Sequence, residues 1–92
     1  MAKDIFNREP VVGDLIMHAR FKKYFCIGKV TKITKLGNVC YDPVDYKIFD
    51  LVNKENKIIE VLIASRYYDC KSYVKTGQFQ IITDLYRLRK KS

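Results

Sequence analysis

The stretch Tyr24–Thr34, YFCIGKVTKIT, decides the fold class, because it is rich in the β-branched and aromatic residues that favour strands. Its apolar residues Ile27, Val30 and Ile33 lie three positions apart, a spacing that a straight strand cannot place on one face. Gly28 offers an explanation, since a bulge or sharp bend at a glycine shifts the register and lets a strand curl. The stretch therefore predicts a long strand that bends at Gly28.

The residues on either side of this stretch carry further strand and turn signals. Gly13–Arg20, GDLIMHAR, follows Pro10 and alternates well enough to predict a first strand. Leu36–Asn38, LGN, is typical of a turn, and NVCYDPV at residues 38–44 predicts a short third strand. The first half of the chain is therefore predicted to be mostly β.

The second half of the chain also favours strands. Ile58–Tyr68, IIEVLIASRYY, has the best strand pattern in the sequence. A polar loop is predicted from Lys71 to Gly77, and FQIIT at residues 79–83 predicts a last strand. DLYRLRKK, residues 84–91, is predicted to close the chain as a single helical turn or a frayed tail.

Residues 42–56, DPVDYKIFDLVNKEN, fit two different structures. Asp42 as N-cap, Pro43 at the first helical position and Asp45 in the first turn are typical of a helix start. The series YKIFDLV, NKEN and KIIEVLI is equally typical of a β-hairpin. Both alternatives remain open for residues 43–54, so the sequence permits one short helix.

The length and composition predict one globular domain. The chain has 92 residues, of which 48% are hydrophobic and 30% charged, a balance that differs from the signature of disorder. We expect a single domain over residues 1–92, with a flexible N-terminus at residues 1–10 and a basic tail at residues 87–92. The sequence has no signal-peptide pattern and no apolar run near the roughly 18 residues of a membrane span, so a cytoplasmic protein without membrane contact is predicted.

The net charge of +8 comes from 18 basic residues against 10 acidic ones, and the charges are arranged in blocks. Residues 15–41 hold six basic side chains and no acidic one, residues 42–60 are mixed, and residues 61–92 are again mainly basic. If the two basic blocks meet in space, the fold has one positive face that attracts a polyanion.

The sequence offers no residues for a disulfide framework, a metal site or catalysis. Cys26, Cys40 and Cys70 are odd in number and form no CxxC pair, which favours reduced, partly buried thiols. His18 is the sole histidine and lacks the ligand spacing of a zinc site. Without a second histidine, a P-loop or a GxGxxG motif, no catalytic residue, metal or cofactor is predicted, and the chain is not expected to be an enzyme.

Two short motifs resemble those of a known class of β-barrels. VVGDLI contains Gly13 and Asp14 at the start of the first strand, and IGKVTKI contains the step from Gly28 through Val30 to Ile33. This pattern, followed by LGN, resembles the small barrels of the Src-homology-3-like class, particularly KOW and Tudor-type modules. The resemblance implies a mainly β fold, a barrel of about five strands, and a binding module for DNA, RNA or protein segments.

The composition carries a second resemblance. With 10 Ile, and 13 Lys against 5 Arg, the chain resembles the early proteins of large lytic bacteriophages with A+T-rich genomes. That resemblance implies a factor that acts in the host cell cytoplasm and modulates host DNA or transcription.

The candidate binding residues come from the two basic blocks, where cations alternate with aromatic residues that can stack on bases. The candidates from the first block are Arg20, Lys22, Lys23, Tyr24, Lys29, Lys32 and Lys35. The candidates from the last block are Arg66, Tyr67, Tyr68, Arg87, Arg89, Lys90 and Lys91.

These residues favour a nucleic-acid-binding module, with double-stranded DNA as the preferred partner over RNA. Lysine predominates over the residues that read base edges, so recognition of backbone and shape is predicted. The alternative is a protein-interaction module that docks on and inhibits a host protein. That alternative predicts an exposed apolar patch, with Ile58, Leu62 and Ile82 as its candidates. The sequence does not specify an oligomeric state.

Overall fold

The computed structural model describes residues 2–20, 24–59 and 73–91. Within these ranges all regular structure is β-strand, and neither a helix nor a helical turn of the predicted kind forms near the C-terminus. The strands are β1 (Leu15–Arg20), β2 (Tyr24–Ile33), β3 (Asn38–Pro43), β4 (Phe49–Asn53), β5 (Tyr73–Lys75), β6 (Gln80–Ile81) and β7 (Tyr86–Lys90).

The strands form two antiparallel sheets. The main sheet has five strands in the order β5-β3-β2-β1-β6, and it curls into part of a barrel. The smaller sheet pairs β4 with β7. The prediction of a mainly β fold is therefore confirmed, and so is a curled sheet built around β2.

The register shift in β2 lies at a different residue from the one predicted. The ladder between β2 and β3 shifts between Val30 and Lys32, so Thr31 is the extra residue of a bulge. The bulge places Val30 and Ile33 on the same face, against one core. Ile27 points to the opposite face, so the three apolar residues do not share a side.

Gly28 is needed for packing and not for the bulge. A Cβ atom at this position would overlap the Tyr41 ring and lie 2.9 Å from the Asp42 carbonyl oxygen. The Tyr41 ring therefore crosses β2 over the bare glycine, and its hydroxyl hydrogen-bonds His18 Nε2 on β1 at 2.7 Å. This contact ties the three central strands together from one face.

Two apolar cores lie on the two faces of the main sheet. The first contains Ile16, Val30, Tyr41, Phe79 and Ile81 among its buried residues. The second core forms where the β4–β7 sheet packs against the other face. It is composed of Leu15, Ile27, Val44, Leu51 and Ile82, with Met17, Tyr46, Phe49, Ile59, Tyr86 and Leu88 packed against them. The main sheet is thus covered by protein on one face and on part of the other.

The N-terminal segment, for which the sequence predicts flexibility over residues 1–10, is hydrogen-bonded to the rest of the fold through Asp4. The Asp4 carboxylate is buried and accepts hydrogen bonds from the backbone N–H groups of Phe6, Arg8 and Ile81 at 2.8–3.0 Å. The Arg8 guanidinium binds the same carboxylate at 2.9 Å. Burial alone would raise the pKa of Asp4, but the hydrogen bonds from Arg8, Ile81 and Phe6 outweigh it and lower that pKa. The charged Asp4 side chain therefore holds the N-terminal segment against the strand that contains Ile81.

Residues 42–56 adopt the hairpin alternative and not the helix. Asp42 and Pro43 complete β3, and the N–H of Val44 extends that ladder by donating to the Ile27 carbonyl at 2.9 Å. Asp45 caps one isolated turn before β4 begins. A second turn follows β4, after which Ile58 pairs with Val52.

Two segments near the C-terminus also differ from the predictions. The polar loop predicted from Lys71 to Gly77 contains the short strand β5. The predicted tail at residues 87–92 is largely strand β7, because Tyr86 and Leu88 alternate onto the second core and pair with β4. The strand predicted at residues 79–83 is reduced to Gln80–Ile81.

Several predictions concern regions that the structure describes only in part. The strand predicted at Ile58–Tyr68 lies mostly outside the described residues, as does Cys70. Cys26 and Cys40 are free thiols, the first buried and the second partly exposed. No helix in the described ranges has the length and hydropathy to cross a membrane.

Candidate nucleic-acid interface

Among the described strands, the outer face of the main sheet has one half that the β4–β7 sheet covers and one half that no strand covers. On β1 and β2 this face carries Leu15, Met17 and Ile27, which the β4–β7 sheet covers. Beyond them, towards β3 and β5, no described strand lies over the sheet. The side chains on this second half are polar or charged, as expected for a surface in contact with water.

We call this second half the basic face. Its members are Lys29 and Lys32 on β2, Asn38, Cys40 and Asp42 on β3, and Tyr73 and Lys75 on β5.

The ladder registers align these residues in rows across the strands. Lys32 pairs with Cys40, which pairs with Tyr73, and Asn38 pairs with Lys75. Paired residues in an antiparallel sheet point to the same side, and neighbouring strands lie about 4.8 Å apart. Lys32 and Tyr73 therefore start about 10 Å from each other, with the small Cys40 side chain between them. The result is a shallow surface with lysines at its sides and one exposed aromatic ring.

The lysines of the basic face are exposed and have no acidic partner in the described part of the chain. No ion pair joins Lys29, Lys32 or Lys75 to a carboxylate of residues 2–20, 24–59 or 73–91. Asp42 is the one described carboxylate that the registers place on this face, opposite Lys29. The face therefore carries a net positive charge that is available to an anionic ligand.

Lys35 extends the basic face at one end. It lies in the turn between β2 and β3, which Thr34 and Asn38 close with a backbone hydrogen bond of 2.9 Å. Since Asn38 pairs with Lys75, the turn lies directly beyond that part of the face. Three lysines thus share one face of the sheet, and a fourth lies in the turn at the end of that face.

The cations of β7, and Lys91 directly after it, have different surroundings. Arg89 and Lys91 lie 4.0 Å and 3.7 Å from the oxygens of Asp50, so one carboxylate neutralises part of their charge. Arg87 donates a hydrogen bond to the side chain of Asn56. These residues belong to the β4–β7 sheet, and the structure does not place them on the basic face.

The predicted site residues within the described ranges therefore divide into three groups. Lys29, Lys32 and Lys35 come together, whereas Arg87, Arg89, Lys90 and Lys91 lie on or beside β7. Arg20, the last residue of β1, and Tyr24, the first residue of β2, lie opposite each other in the backbone ladder of these two strands. The residues that lie outside the described ranges are Lys22, Lys23, Arg66, Tyr67 and Tyr68.

Sequence reasoning missed Tyr73 and Lys75 as site residues. The segment around them is polar, and it was predicted to be a loop. The alternation of exposed Tyr73, buried Val74 and exposed Lys75 is the signal of a strand, although three residues are too few to stand out in a sequence.

The apolar patch predicted for a protein-interaction module does not form as expected. Ile82 is fully buried in the second core, Ile58 is exposed, and Leu62 lies outside the described residues. Other exposed apolar side chains occur on the N-terminal segment, where Val11 and Val12 are more than 60% exposed.

Among the described residues no cluster of histidine, cysteine, aspartate or glutamate side chains is arranged to hold a metal ion. No protein-family model, curated protein sequence or solved structure matches this chain.

Proposed function

We propose that this protein is a non-enzymatic nucleic-acid-binding module whose basic face contacts the phosphate backbone of double-stranded DNA. The observation that carries the proposal is the gathering of Lys29, Lys32 and Lys75 on one face, with Lys35 in the turn at its end, and none of these lysines forms an ion pair with a described carboxylate. Lysines placed in this way neutralise phosphates and release bound counterions, which supplies most of the affinity of sequence-independent binding.

The chemistry of the face favours backbone and shape recognition over base reading. Its cations are all lysines, which act as point charges, whereas base edges are read by the planar groups of arginine, asparagine and glutamine. Asn38 is the one amide on the face and is only partly exposed. We therefore expect low sequence specificity and a preference for duplex DNA over RNA.

The curled sheet fits the finer assignment to the Src-homology-3-like class, and we propose that the chain is a KOW- or Tudor-like module of this kind. The first strand, the glycine of the second strand and the turn after it have the order that this class uses. With the phage-like composition, this supports a role as a cytoplasmic phage factor that modulates host DNA or transcription.

The decisive experiment is a titration by fluorescence anisotropy with three probes of one sequence: a DNA duplex of about 20 base pairs, its single strand and the matching RNA. If four lysines each neutralise one phosphate, log Kd should change with log salt with a slope of about 3 to 4. The affinity for duplex DNA should then fall about 100-fold between about 50 mM and about 200 mM salt. Absence of binding to all three probes at low salt would refute the proposal.

The alternative, a module that docks on a host protein, is favoured by the exposure of Val11 and Val12. Affinity purification of the tagged protein from a lysate, with and without nuclease treatment, separates the two functions. Partners that all disappear after nuclease support nucleic-acid binding. A stoichiometric protein that remains supports docking.

A further inference from the structure

The most exposed large apolar side chain in the described residues is Leu36, at the tip of the turn between β2 and β3. It is 89% exposed. Isolated apolar residues are common on protein surfaces, so exposure alone implies nothing. The surroundings of Leu36 distinguish it from the other exposed apolar residues.

The turn that carries Leu36 is held firmly at its base. The N–H of Gly37 donates to the Thr34 carbonyl at 3.1 Å, and Gly37 has a φ of +86°, which favours glycine. A Cβ atom at Gly37 would lie 3.8 Å from the Thr76 side chain and 4.0 Å from the backbone nitrogen of Ala2, so the segments that carry these two residues pass close to the turn. Leu36 therefore projects from a turn that has two other segments of the chain beside it.

Each of these three segments carries a lysine. Lys35 precedes Leu36 in the turn, and Lys75 precedes Thr76. The backbone N–H of Lys3 donates to Thr76 Oγ1 at 2.8 Å, which brings a third lysine to the same corner. An exposed apolar tip with three lysines in neighbouring segments is complementary to DNA, in which apolar base stacks lie between rows of phosphates.

We infer that Leu36 is a wedge that enters the minor groove of double-stranded DNA and inserts between two neighbouring base pairs. Lys3, Lys35 and Lys75 contact the phosphates on either side. The inference rests on the proposed function and adds the groove and the deformation to it. Apolar wedges of this kind partly unstack one base step and kink the duplex by about 20–90° towards the major groove.

The test is the bend angle, measured by energy transfer between dyes at the two ends of a duplex of about 25 base pairs with central TA steps, which unstack readily. Saturation with the wild-type protein should shorten the distance between the dyes by the amount expected for a kink of at least about 20°. The variant Leu36→Ala should bind with a loss of less than about tenfold, because the lysines remain, and should leave the duplex straight.

Leu85→Ala is the matched control, since Leu85 is also an exposed leucine in a turn, at 40% exposure, and has no place in the corner around Leu36. This variant should bend DNA like the wild type. Binding without bending, bending that survives Leu36→Ala, or binding restricted to single strands would overturn the wedge while leaving nucleic-acid binding intact. Failure of the wild type to bind any nucleic acid would overturn the proposed function and the wedge together.

Discussion

The lysines of the basic face and the cations of β7 carry the same charge but have opposite surroundings. Lys29, Lys32 and Lys75 have no described acidic neighbour within ion-pair distance, whereas Arg89 and Lys91 share Asp50. Arg8 is the extreme case of the second kind, because its carboxylate partner Asp4 is buried. The register of the strands therefore determines which positive charges are available to a ligand.

Removing the buried partner should have the largest effect. Asp4→Ala leaves the N–H groups of Phe6 and Ile81 without their acceptor and removes the buried carboxylate partner of Arg8, which keeps its hydrogen bond to the Ile81 carbonyl. We expect the free energy of unfolding to fall by about 3 kcal/mol, measured by urea denaturation. A loss below about 1 kcal/mol would show that Arg8 is no more tightly held than the cations of β7.

Neutralising the two groups of cations separately tests whether the basic face or β7 binds DNA. The variant Lys29→Gln, Lys32→Gln, Lys75→Gln should lose at least about 30-fold in affinity for duplex DNA at low salt, and its salt slope should fall by about 3. The matched variant Arg87→Gln, Arg89→Gln, Lys90→Gln removes the same charge and should change the affinity by less than about threefold. The reverse order of effects would place the interface on β7.

The pH dependence of stability tests whether the buried Asp4 carboxylate is charged in the folded protein. The pKa of Asp4 is lowered in the folded protein, so its carboxylate stabilises the fold above the ordinary aspartate range, and this contribution is lost as the pH falls through the folded pKa. The difference in unfolding free energy between the wild type and Asp4→Asn should therefore be constant above pH of about 5 and shrink below pH of about 4. A difference that does not change with pH would contradict a charged, hydrogen-bonded Asp4.

The smallest effect is expected at Asp50. Its ion pairs with Arg89 and Lys91 are long and partly exposed, so Asp50→Asn should change the free energy of unfolding by no more than about 0.5 kcal/mol. Because the released cations lie on β7, the affinity for duplex DNA should rise by no more than about twofold, measured in the same anisotropy titration. A much larger gain would mean that Asp50 masks a functional surface.

Local patterns in the sequence were sufficient for the central part of the fold. The strand content of Tyr24–Thr34 and the turn at Leu36–Asn38 predicted β2 and the start of β3, since both depend on residues close together in the chain. The sequence predicts the bend of β2 at Gly28, but the extra residue of the bulge is Thr31. Gly28 instead leaves space for the Tyr41 ring of β3. In a sequence, a glycine whose missing side chain makes room for a distant residue cannot be told from a glycine at a bulge.

The candidate site could be predicted only in part. Lys29, Lys32 and Lys35 were identified because they lie in one acid-free segment. Lys75 joins them only through the pairing of β5 with β3, and the carboxylate that binds Arg89 is on β4, far away in the sequence. Both facts depend on pairing between distant segments, which residue composition does not encode.

The bulge at Thr31 separates the curvature of β2 from the sides on which its residues lie. Strand residues alternate between inside and outside, and Thr31 stands outside that alternation, because Val30 pairs with Tyr41 and Lys32 pairs with Cys40. Deleting Thr31 would therefore leave Lys32 on the outer face and Ile33 against the core, and would remove the local bend and extra twist of the strand. A gap of one residue at this position is accordingly the gap that distant relatives can carry without losing the inside-outside pattern of the sheet.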